Sequence, residues 1–453
     1  MNADLSTAAK FVNGTLHGND RAFNVVSTDT RTLRGDELFV ALSGPNFDGR
    51  DYVDLAREKG AAGAIVVSPV ESDIAQITVE DTKLALGQLG ASWRDLQSAI
   101  VVGITGSNGK TTLKELAAAC LSHAAPTLAT QGNLNNDIGM PLMLSRIDAT
   151  HRYAIFEMGA NHPGEISYLT SLAKPDIVVI TNAGAAHLEG FGSIEGVAKA
   201  KAEILQGDAR PDFAILNADD EYFSYWHSFV SDVSWLGFGL SENADIRGDE
   251  IVVDIGLTHF LLHIGDTAVP VSLPLAGLHN ARNACAAAAI ATTLGIKPDD
   301  IASALEAVSP VTGRLQTVAG LHGATIFDDS YNANPVSVIA AGEYLASLVG
   351  QNWVVFGDMK ELGEDEQQLH LEVGRALKKA GIKRLFATGE LGRNTVAAFG
   401  DGASWFEAVD ELAETVLKEL TGNVNVLVKG SRSMRMERVV DKLRAPEAMR
   451  KEA

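Results

Sequence analysis

The sequence predicts an α/β protein with three domains, and three observations lead to this prediction. The chain has 453 residues, which at roughly 150 residues per domain is room for about three. Short β-branched runs alternate with helix-length segments, a pattern typical of mostly parallel sheets covered by helices. The alternation starts again after the first helical linker and again around Gly313. We therefore expect domains at 1–84, 85–313 and 314–453.

Composition excludes several classes of protein. A hydrophobic content of 46% and a charged content of 21% are those of an ordinary globular protein and exclude disorder of the whole chain. The 37 basic and 58 acidic residues give a net charge of −21, which repels phosphate backbones, so we expect no nucleic-acid partner. The N-terminus shows no signal peptide, and no apolar run approaches the ~20 residues of a membrane span.

Cysteine usage adds a prediction about the compartment. Cys120 and Cys285 are the two cysteines of the chain, too few for a disulfide framework. Both stand in alanine-rich helical segments and are predicted to be small core residues. A reducing compartment fits best, and we expect a cytoplasmic protein.

In the first domain, residues 38–42 and 64–67 are apolar enough for buried strands, and 51–59 has helical spacing. Asp81 is placed to cap a helix at 82–96 that leads out of this domain.

The central and third domains are predicted from the same alternation. Predicted strands of the central domain are 100–104, 153–156, 176–180 and 213–216, with helices at 110–121 and 280–294. Short alternating runs in 244–275 predict an antiparallel hairpin appended to that domain. Predicted strands of the third domain are 324–327, 353–356, 384–387 and 425–428.

A glycine-rich loop between a strand and a helix carries the strongest local signal. Its backbone N–H groups and the following helix N-terminus can bind phosphate oxygens. Lys110 would neutralise the β- and γ-phosphates, and the Thr111 hydroxyl would sit on Mg²⁺. The strict motif has glycine at the position of Ile104, so the loop departs from it there. We predict ATP binding by this loop, which reads Gly103-Ile104-Thr105-Gly106-Ser107-Asn108-Gly109-Lys110-Thr111-Thr112.

Polar residues follow the next two predicted strands at the edge where parallel sheets bind ligands. Glu157 ends one strand and can hold a divalent cation, although a solvated acid is an equally good interpretation. His187 follows the other strand, where a structural role is the alternative. Lys199 and Lys201 lie on a helix that Ser193 is expected to cap, and composition alone favours solvated lysines at both positions.

Two loops are rich in asparagine, which offers donors and acceptors without charge and suits sugar, peptide and phosphate groups. Their candidate residues are Asn135, Asn136 and Asn161, with turn formation as the alternative. Near the seam before the third domain, Arg314 could reach phosphate oxygens during phosphoryl transfer, and Asp329 could accept from a ribose hydroxyl.

Taken together, these segments resemble the Mur ligase family, ATP-dependent enzymes that extend the peptidoglycan precursor peptide. The resemblance covers nearly the whole chain and rests on Asp29-Thr30-Arg31, 38–42, 105–112, Glu157, His187, 277–283, Gly313-Arg314 and 329–335. Segments 133–139, 157–160 and 357–363 are most similar to the family member that adds D-alanyl-D-alanine to UDP-N-acetylmuramoyl-tripeptide.

The resemblance implies a first domain that holds the uridine nucleotide, a central ATPase domain of the P-loop type and a Rossmann-like third domain that closes over both. It implies two Mg²⁺ sites, with Thr111 at one and Glu157 and His187 at the other. The family's carbamylated lysine, formed from CO₂, maps onto Lys201, with Lys199 as the alternative. The implied catalytic residues are Lys110, Lys201, His187 and Arg314.

The remaining implied contacts concern the substrates. Asn280, Asn283 and Asn332 resemble positions near adenine and ribose, and Arg314 and Asp329 are the third domain's contribution to ATP. The uridine diphosphate would meet Thr30, Arg31, Asn46 and Asp48, and the substrate site would also include Asn135, Asn136 and Asn161. A basic loop at Lys429, Ser431 and Arg432 is a candidate for holding D-alanyl-D-alanine.

The implied activity is an ATP-dependent ligase that activates a carboxylate as an acyl phosphate and couples it to the dipeptide amine. We expect a monomer. Alternatives within the class are another Mur ligase step and a folate polyglutamate synthetase, which shares the ATPase design. The alternative from another class is a regulatory nucleotide-switch ATPase without ligase chemistry.

Overall fold

The computed structural model describes residues 1–207 and 209–446, so Asp208 and the last seven positions of the predicted third domain lie outside the described residues. Three main sheets of five, nine and six strands follow one another along the chain. Each sheet is accompanied by helices, which confirms the predicted three-domain α/β architecture. Within the described ranges, no helix is both long and apolar enough to cross a membrane.

The first domain has a five-stranded sheet in the order β2-β9-β8-β5-β4. Its elements are β1 Ala3–Asp4, α1 Leu5–Phe11, β2 Thr15–His17, β3 Ala22–Phe23, β4 Val25–Ser27, β5 Glu37–Val40, β6 Ser43–Gly44, β7 Phe47–Asp48, α2 Val53–Glu58, β8 Gly63–Val66, β9 Gln76–Thr78 and α3 Thr82–Asp95. Asp81 caps α3 as predicted, because its carboxylate accepts from the backbone N–H groups of Lys83 at 2.7 Å and Leu84 at 2.9 Å.

The central domain has nine strands in the order β11-β12-β10-β13-β14-β15-β16-β17-β18. Its elements are β10 Ile100–Thr105, α4 Lys110–Ala124, β11 Thr127–Ala129, α5 Gly139–Leu144, β12 Tyr153–Glu157, α6 Glu165–Ala173, β13 Ile177–Ile180, α7 Leu188–Phe191, α8 Ile194–Ala202, β14 Phe213–Asn217, α9 Phe223–His227, β15 Ser234–Gly239, β16 Ile246–Asp254, β17 Leu257–Ile264, β18 Thr267–Leu273, α10 Leu278–Thr293 and α11 Pro298–Glu306.

Strands β11 to β16 run parallel, and β16, β17 and β18 are antiparallel. The predicted hairpin is therefore three strands that extend the main sheet. Strand β10 lies between β12 and β13, with Ile104 opposite Glu157 and Thr105 opposite Ile180. The loops that follow these three strands consequently meet at one edge of the sheet.

The third domain has six strands in the order β19-β20-β24-β21-β22-β23, all parallel except the β19–β20 pair. Its elements are β19 Gln316–Ala319, β20 Thr325–Asp329, α12 Pro335–Ser347, β21 Gln351–Gly357, α13 Glu366–Ala380, β22 Arg384–Thr388, α14 Gly392–Phe399, β23 Ala403–Phe406, α15 Val409–Glu419, β24 Val424–Lys429 and α16 Glu437–Leu443. This arrangement is the expected Rossmann-like domain.

Helices α4 and α10 pack against each other within the central domain. Cys120 on α4 and Cys285 on α10 are buried in the same core cluster, as predicted, and burial raises the pKa of the Cys120 thiol to about 12. The turn between β16 and β17 also contacts α12: the Tyr344 hydroxyl accepts from the N–H of Gly256 and donates to the carbonyl of Asp254, both at 3.2 Å.

Candidate active site

A cavity of about 1130 Å³ opens along the loop edge of the central sheet and is covered by the third domain. Most of the predicted site residues line it together. They are Ser107, Asn108, Gly109, Lys110, Thr111, Thr112, Asn135, Asn136, Glu157, Asn161, His187, Asn280, Asn283, Arg314, Asp329 and Asn332. The structure thus brings into one place residues that are separated by up to half of the chain.

The phosphate loop depends on two glycines. Gly106 has φ +142°, and a Cβ there would lie 1.9 Å from Oγ1 of Thr181. Gly109 has φ +85°, and a Cβ there would lie 2.6 Å from Oδ1 of Asn283. No other residue fits either position without moving its neighbours. Ile104, where the strict motif has glycine, is instead a fully buried residue of β10.

Lys110 begins α4, and its ammonium group folds back over the loop. Its Nζ donates to the carbonyl of Gly106 at 2.6 Å and lies 3.4 Å from that of Ser107. Burial lowers the pKa of Lys110, while the nearby carboxylate of Glu157 raises it and Arg314 lowers it. The lysine therefore places a cation where the loop's N–H groups would meet phosphate oxygens.

Glu157 is almost completely buried, at 4% exposure, and forms a polar cluster with the loop. Oε2 accepts from the Thr111 hydroxyl and Oε1 from the amide of Asn135, both at 2.9 Å. Nη2 of Arg314, from the third domain, lies 3.5 Å from the same Thr111 oxygen. A carboxylate, a hydroxyl and a guanidinium from three segments thus converge beside the phosphate loop.

This donor set fits Mg²⁺ held jointly with a nucleotide. Among residues 1–207 and 209–446, no group of three or more His, Cys, Asp or Glu side chains is arranged to hold a metal alone. Mg²⁺ is commonly bound by one or two protein oxygens, substrate phosphates and waters rather than by a protein cage. Thr111 and Glu157 provide oxygens of this kind.

His187 reaches the cavity from the end of β13 and contacts the third domain. Its Nδ1 lies 2.6 Å from Oε2 of Glu361. The approach of the imidazole lowers the pKa of the Glu361 carboxyl. The histidine predicted to serve a metal therefore also joins two domains.

The two candidate lysines of α8 have opposite surroundings. Lys201 is 1% exposed, with its Nζ over the Phe191 ring at 5.1 Å. Burial and the charge of Lys110 lower the pKa of Lys201 to about 7. Lys199 is exposed and paired with Glu195 at 2.6 Å, and this hydrogen bond raises the pKa of Lys199. Of these two lysines only Lys201 is buried, and it is not among the residues that line the cavity.

Helix α10 forms another side of the cavity. Asn280 and Asn283 are both buried, and Nδ2 of Asn280 donates to the carbonyl of Ala276 at 2.8 Å, which leaves its amide oxygen for other contacts. The sequence analysis missed a pair beside them: Nε of Arg282 donates to Oδ2 of Asp219 at 2.9 Å. The polar residues that follow β14 in the sequence, Asp219 among them, are the feature from which this pair could have been predicted.

In the third domain, Lys429 fixes the loop after β20. Its Nζ donates to Oδ2 of Asp329 at 2.6 Å and to the carbonyl of Asn332 at 2.9 Å. These two contacts use two of the three N–H donors of the ammonium group, and Lys429 lines the cavity, so the suggestion that it holds the dipeptide stays a prediction. Tyr331, which the sequence analysis did not assign, lies under the Arg314 guanidinium at 4.2 Å.

The other two residues of the basic loop also have protein partners. The Ser431 hydroxyl accepts from the N–H of Lys360 at 2.8 Å, and Arg432 pairs with Glu437 at 3.0 Å. Arg432 remains largely exposed and lines the cavity, so its role stays a prediction.

Residues predicted to meet the uridine diphosphate lie outside this cavity, on the first domain. Arg31 pairs with Asp29 at 2.7 Å, which helps to lower the pKa of that carboxyl to about 2. Asp48 pairs with Arg50 at 2.6 Å. Thr30 is buried, and Asn46 is exposed in the turn between β6 and β7. Gly106 also does not line the cavity, because it packs against Thr181.

Comparison with known proteins supports this geometry. Residues 104–291 match the Mur ligase middle domain, and residues 313–432 match the Mur ligase glutamate ligase domain. The chain is 42% identical to UDP-N-acetylmuramoyl-tripeptide--D-alanyl-D-alanine ligase of Escherichia coli (strain K12), covering 97% of this chain and 98% of that one. The chain belongs to the Mur ligase family.

Solved structures of this Mur ligase family agree over the whole length. A crystal structure of MurF from Acinetobacter baumannii superposes with a TM-score of 0.92 at 34% identity, covering 98% of this chain and 99% of that one. MurF ligase from Thermotoga maritima, solved in complex with ADP, superposes with a TM-score of 0.83 at 28% identity, covering 92% and 96%. The three-domain arrangement of this Mur ligase is therefore that of MurF.

Proposed function

We propose that this Mur ligase joins D-alanyl-D-alanine to the free carboxylate of UDP-N-acetylmuramoyl-tripeptide and converts ATP to ADP and phosphate. One structural observation supports the proposal independently of the family resemblance. The third domain's Arg314 reaches the phosphate-loop Thr111, which in turn donates to Glu157. A groove that positions a guanidinium, a hydroxyl and a carboxylate around one phosphate loop is suited to phosphoryl transfer.

The chemistry follows from the weakness of a carboxylate as an acyl donor. Its oxygen attacks the γ-phosphorus of ATP, the bond to the β–γ bridging oxygen breaks, and ADP leaves. The acyl phosphate that results has phosphate as its leaving group. The neutral amine of D-alanyl-D-alanine then attacks the acyl carbon, loses a proton, and the tetrahedral intermediate collapses to an amide and phosphate. The reaction needs no reactant beyond the three substrates.

The chain's own residues have separate roles in this sequence. Lys110 offsets the repulsion between the acceptor carboxylate and the ATP phosphates, because it places its charge at the loop. Arg314 adds positive charge from the third domain where negative charge develops. Mg²⁺, held by Thr111 and Glu157 with His187 nearby, would supply further charge neutralisation when bound. Closure of the third domain over the cavity would exclude water that hydrolyses an acyl phosphate.

Lys201 is proposed to act as its carbamate. A neutral lysine amine reacts with CO₂ to give a carbamic acid that ionises, which replaces a cation with a carboxylate-like group. Burial and the charge of Lys110, which lower the pKa of Lys201 to about 7, favour that neutral amine at ordinary pH. The negative carbamate would also relieve the repulsion between two buried cations.

Location and assembly belong to the same proposal. A UDP-linked precursor and ATP are both expected in the cytoplasm, and we propose that the enzyme works there as a monomer. Sedimentation of the purified protein, with and without substrates, tests the assembly state.

An omission assay tests the function directly. Phosphate release is measured with ATP, the UDP-tripeptide and D-alanyl-D-alanine, and then with each component left out. Release that requires all three supports the ligase, and running the diaminopimelate and lysine forms of the tripeptide identifies the preferred third residue. Release with ATP alone, unaffected by the other two, would support the nucleotide-switch alternative. Activity with folate and glutamate, or with another amino acid, would support the alternatives within the class.

A further inference from the structure

One pair of amides connects the third domain to the phosphate loop of the central domain. Nδ2 of Asn334 donates a hydrogen bond of 2.6 Å to Oδ1 of Asn108, across 226 positions of the chain. Asn334 is 8% exposed, Asn108 is half-buried, and both line the cavity. The bond therefore joins two domains directly at the loop that is expected to hold the triphosphate.

The Asn334 side chain and the Asn108 backbone are each held in place by their own domain. Asn334 is the N-cap of α12: its Oδ1 accepts from the N–H of Ser337 at 2.9 Å, and the Ser337 hydroxyl accepts from the N–H of Asn334 at 3.1 Å. The N–H of Asn108 donates to Oδ1 of Asn182 at 2.9 Å, and its carbonyl accepts from the Thr181 hydroxyl at 2.7 Å. The Asn334 amide and the Asn108 backbone are thus fixed, and the hydrogen bond between the two side chains connects the position of one domain to that of the other.

We propose that Asn334 is a positioning residue of the ligase reaction. Its side-chain amide has two functions. The oxygen caps the N-terminus of α12, and the nitrogen holds the third domain against the phosphate loop. Arg314 belongs to the same domain and approaches Thr111 at a marginal 3.5 Å. A small displacement of the domain therefore separates the guanidinium from the reacting phosphate, and such displacements are costly for catalysis. This inference rests on the proposed function.

The variant Asn334→Ser separates the two tasks. Serine is as good an N-cap as asparagine, so α12 keeps its start, but the shorter side chain does not reach Asn108. We expect kcat/KM for ATP to fall about three- to tenfold, the effect of one neutral hydrogen bond, with an unchanged Tm. The matched control is Ser337→Ala, which weakens the helix start and leaves the Asn334 nitrogen in place. It should lower Tm and retain turnover.

A double-mutant cycle gives the decisive measurement. If the two amides act through each other, Asn334→Ser has almost no further effect on kcat/KM in the Asn108→Ala background. Losses that multiply in the double variant would overturn the proposal, as would a wild-type kcat/KM for Asn334→Ser alone.

The same four proteins can be compared by the rise in Tm that ATP alone causes. This measurement does not depend on the ligase reaction. Coupling of the two sites in this measurement supports the inter-domain role even if the omission assay assigns another reaction. Independent effects in both measurements would refute the role of Asn334, while substrate-dependent phosphate release by the wild type would still stand.

Discussion

Nδ1 of His187 in the central domain lies 2.6 Å from Oε2 of Glu361 in the third domain. His187 is also the histidine predicted to serve the metal site. The same side chain would therefore contribute both to metal binding and to the contact between the two domains. We expect His187→Ala to raise the Mg²⁺ concentration for half-maximal activity about tenfold. Glu361→Gln keeps the imidazole and should shift the Mg²⁺ profile much less. An unchanged profile in His187→Ala would leave the histidine with a purely structural role.

Lys110→Ala should reduce kcat about a hundred- to a thousandfold, because it removes the cation that the phosphate loop contributes to the reacting phosphates. Steady-state phosphate release measures the change, and circular dichroism checks the fold. Lys174→Ala is the matched control, since Lys174 pairs with Asp95 away from the cavity. Near-normal turnover of Lys110→Ala would contradict its assigned role.

In CO₂-free buffer, where Lys201 has a free amine, Lys201→Met should make the protein more stable. With CO₂ present, Lys201→Met should be inactive. The pKa of Lys201 is depressed to about 7 in the folded chain, against about 10.4 in the unfolded chain. Wild-type stability therefore rises with pH between these values, and Met removes a penalty on the order of 4 kcal/mol at pH 7. The gain, measured by urea unfolding, should be largest at and below pH 7 and shrink toward pH 10. Lys199→Met, altering an exposed lysine, should show no such pH-dependent gain.

Lys201→Ala should also be inactive, but a short carboxylic acid should restore part of its activity by occupying the space of the carbamate. The measurement is phosphate release in the presence of increasing formate or acetate. Rescue of Lys199→Ala instead would assign the carbamate to the other lysine, and failure to rescue either variant would count against a carbamate.

Tyr331→Leu should lower kcat about tenfold, since the ring that supports the Arg314 guanidinium at 4.2 Å is lost. Tyr331→Phe preserves the ring face and should remain close to wild type. Kinetics with ATP varied at saturating second substrates separate kcat from KM. Equal losses in both variants would place the function in the hydroxyl group rather than in the stacking contact.

The sequence alone predicts the parallel sheets well, because strands buried on both faces are continuous apolar runs. Residues 153–156 and 213–216 become β12 and β14 with one residue added to each. Edge and half-exposed strands such as β19 and β23 were missed, since mixed polar and apolar residues give no clear pattern. For the same reason the predicted hairpin of 244–275 concealed a third strand.

The sequence predicts a residue's place in the cavity where that place follows from its position on one element, as for Lys110 and Glu157, and their roles stay predictions. A contact was not predicted where it depends on two distant segments meeting, as for Asn108 with Asn334. Lys199 and Lys201 show a further limit: neighbours on one helix point in different directions, and only the packing of α8 reveals which amine is buried.

Helix α12 is attached to the central domain at both of its ends. Asn334 binds the phosphate loop at the start, and Tyr344, near the other end, binds the β16–β17 turn. At 1.5 Å per residue the two attachments are about 15 Å apart along the helix, so they are separate points of contact. Complete separation of the third domain from the central domain therefore requires that the contacts at both ends of α12 break.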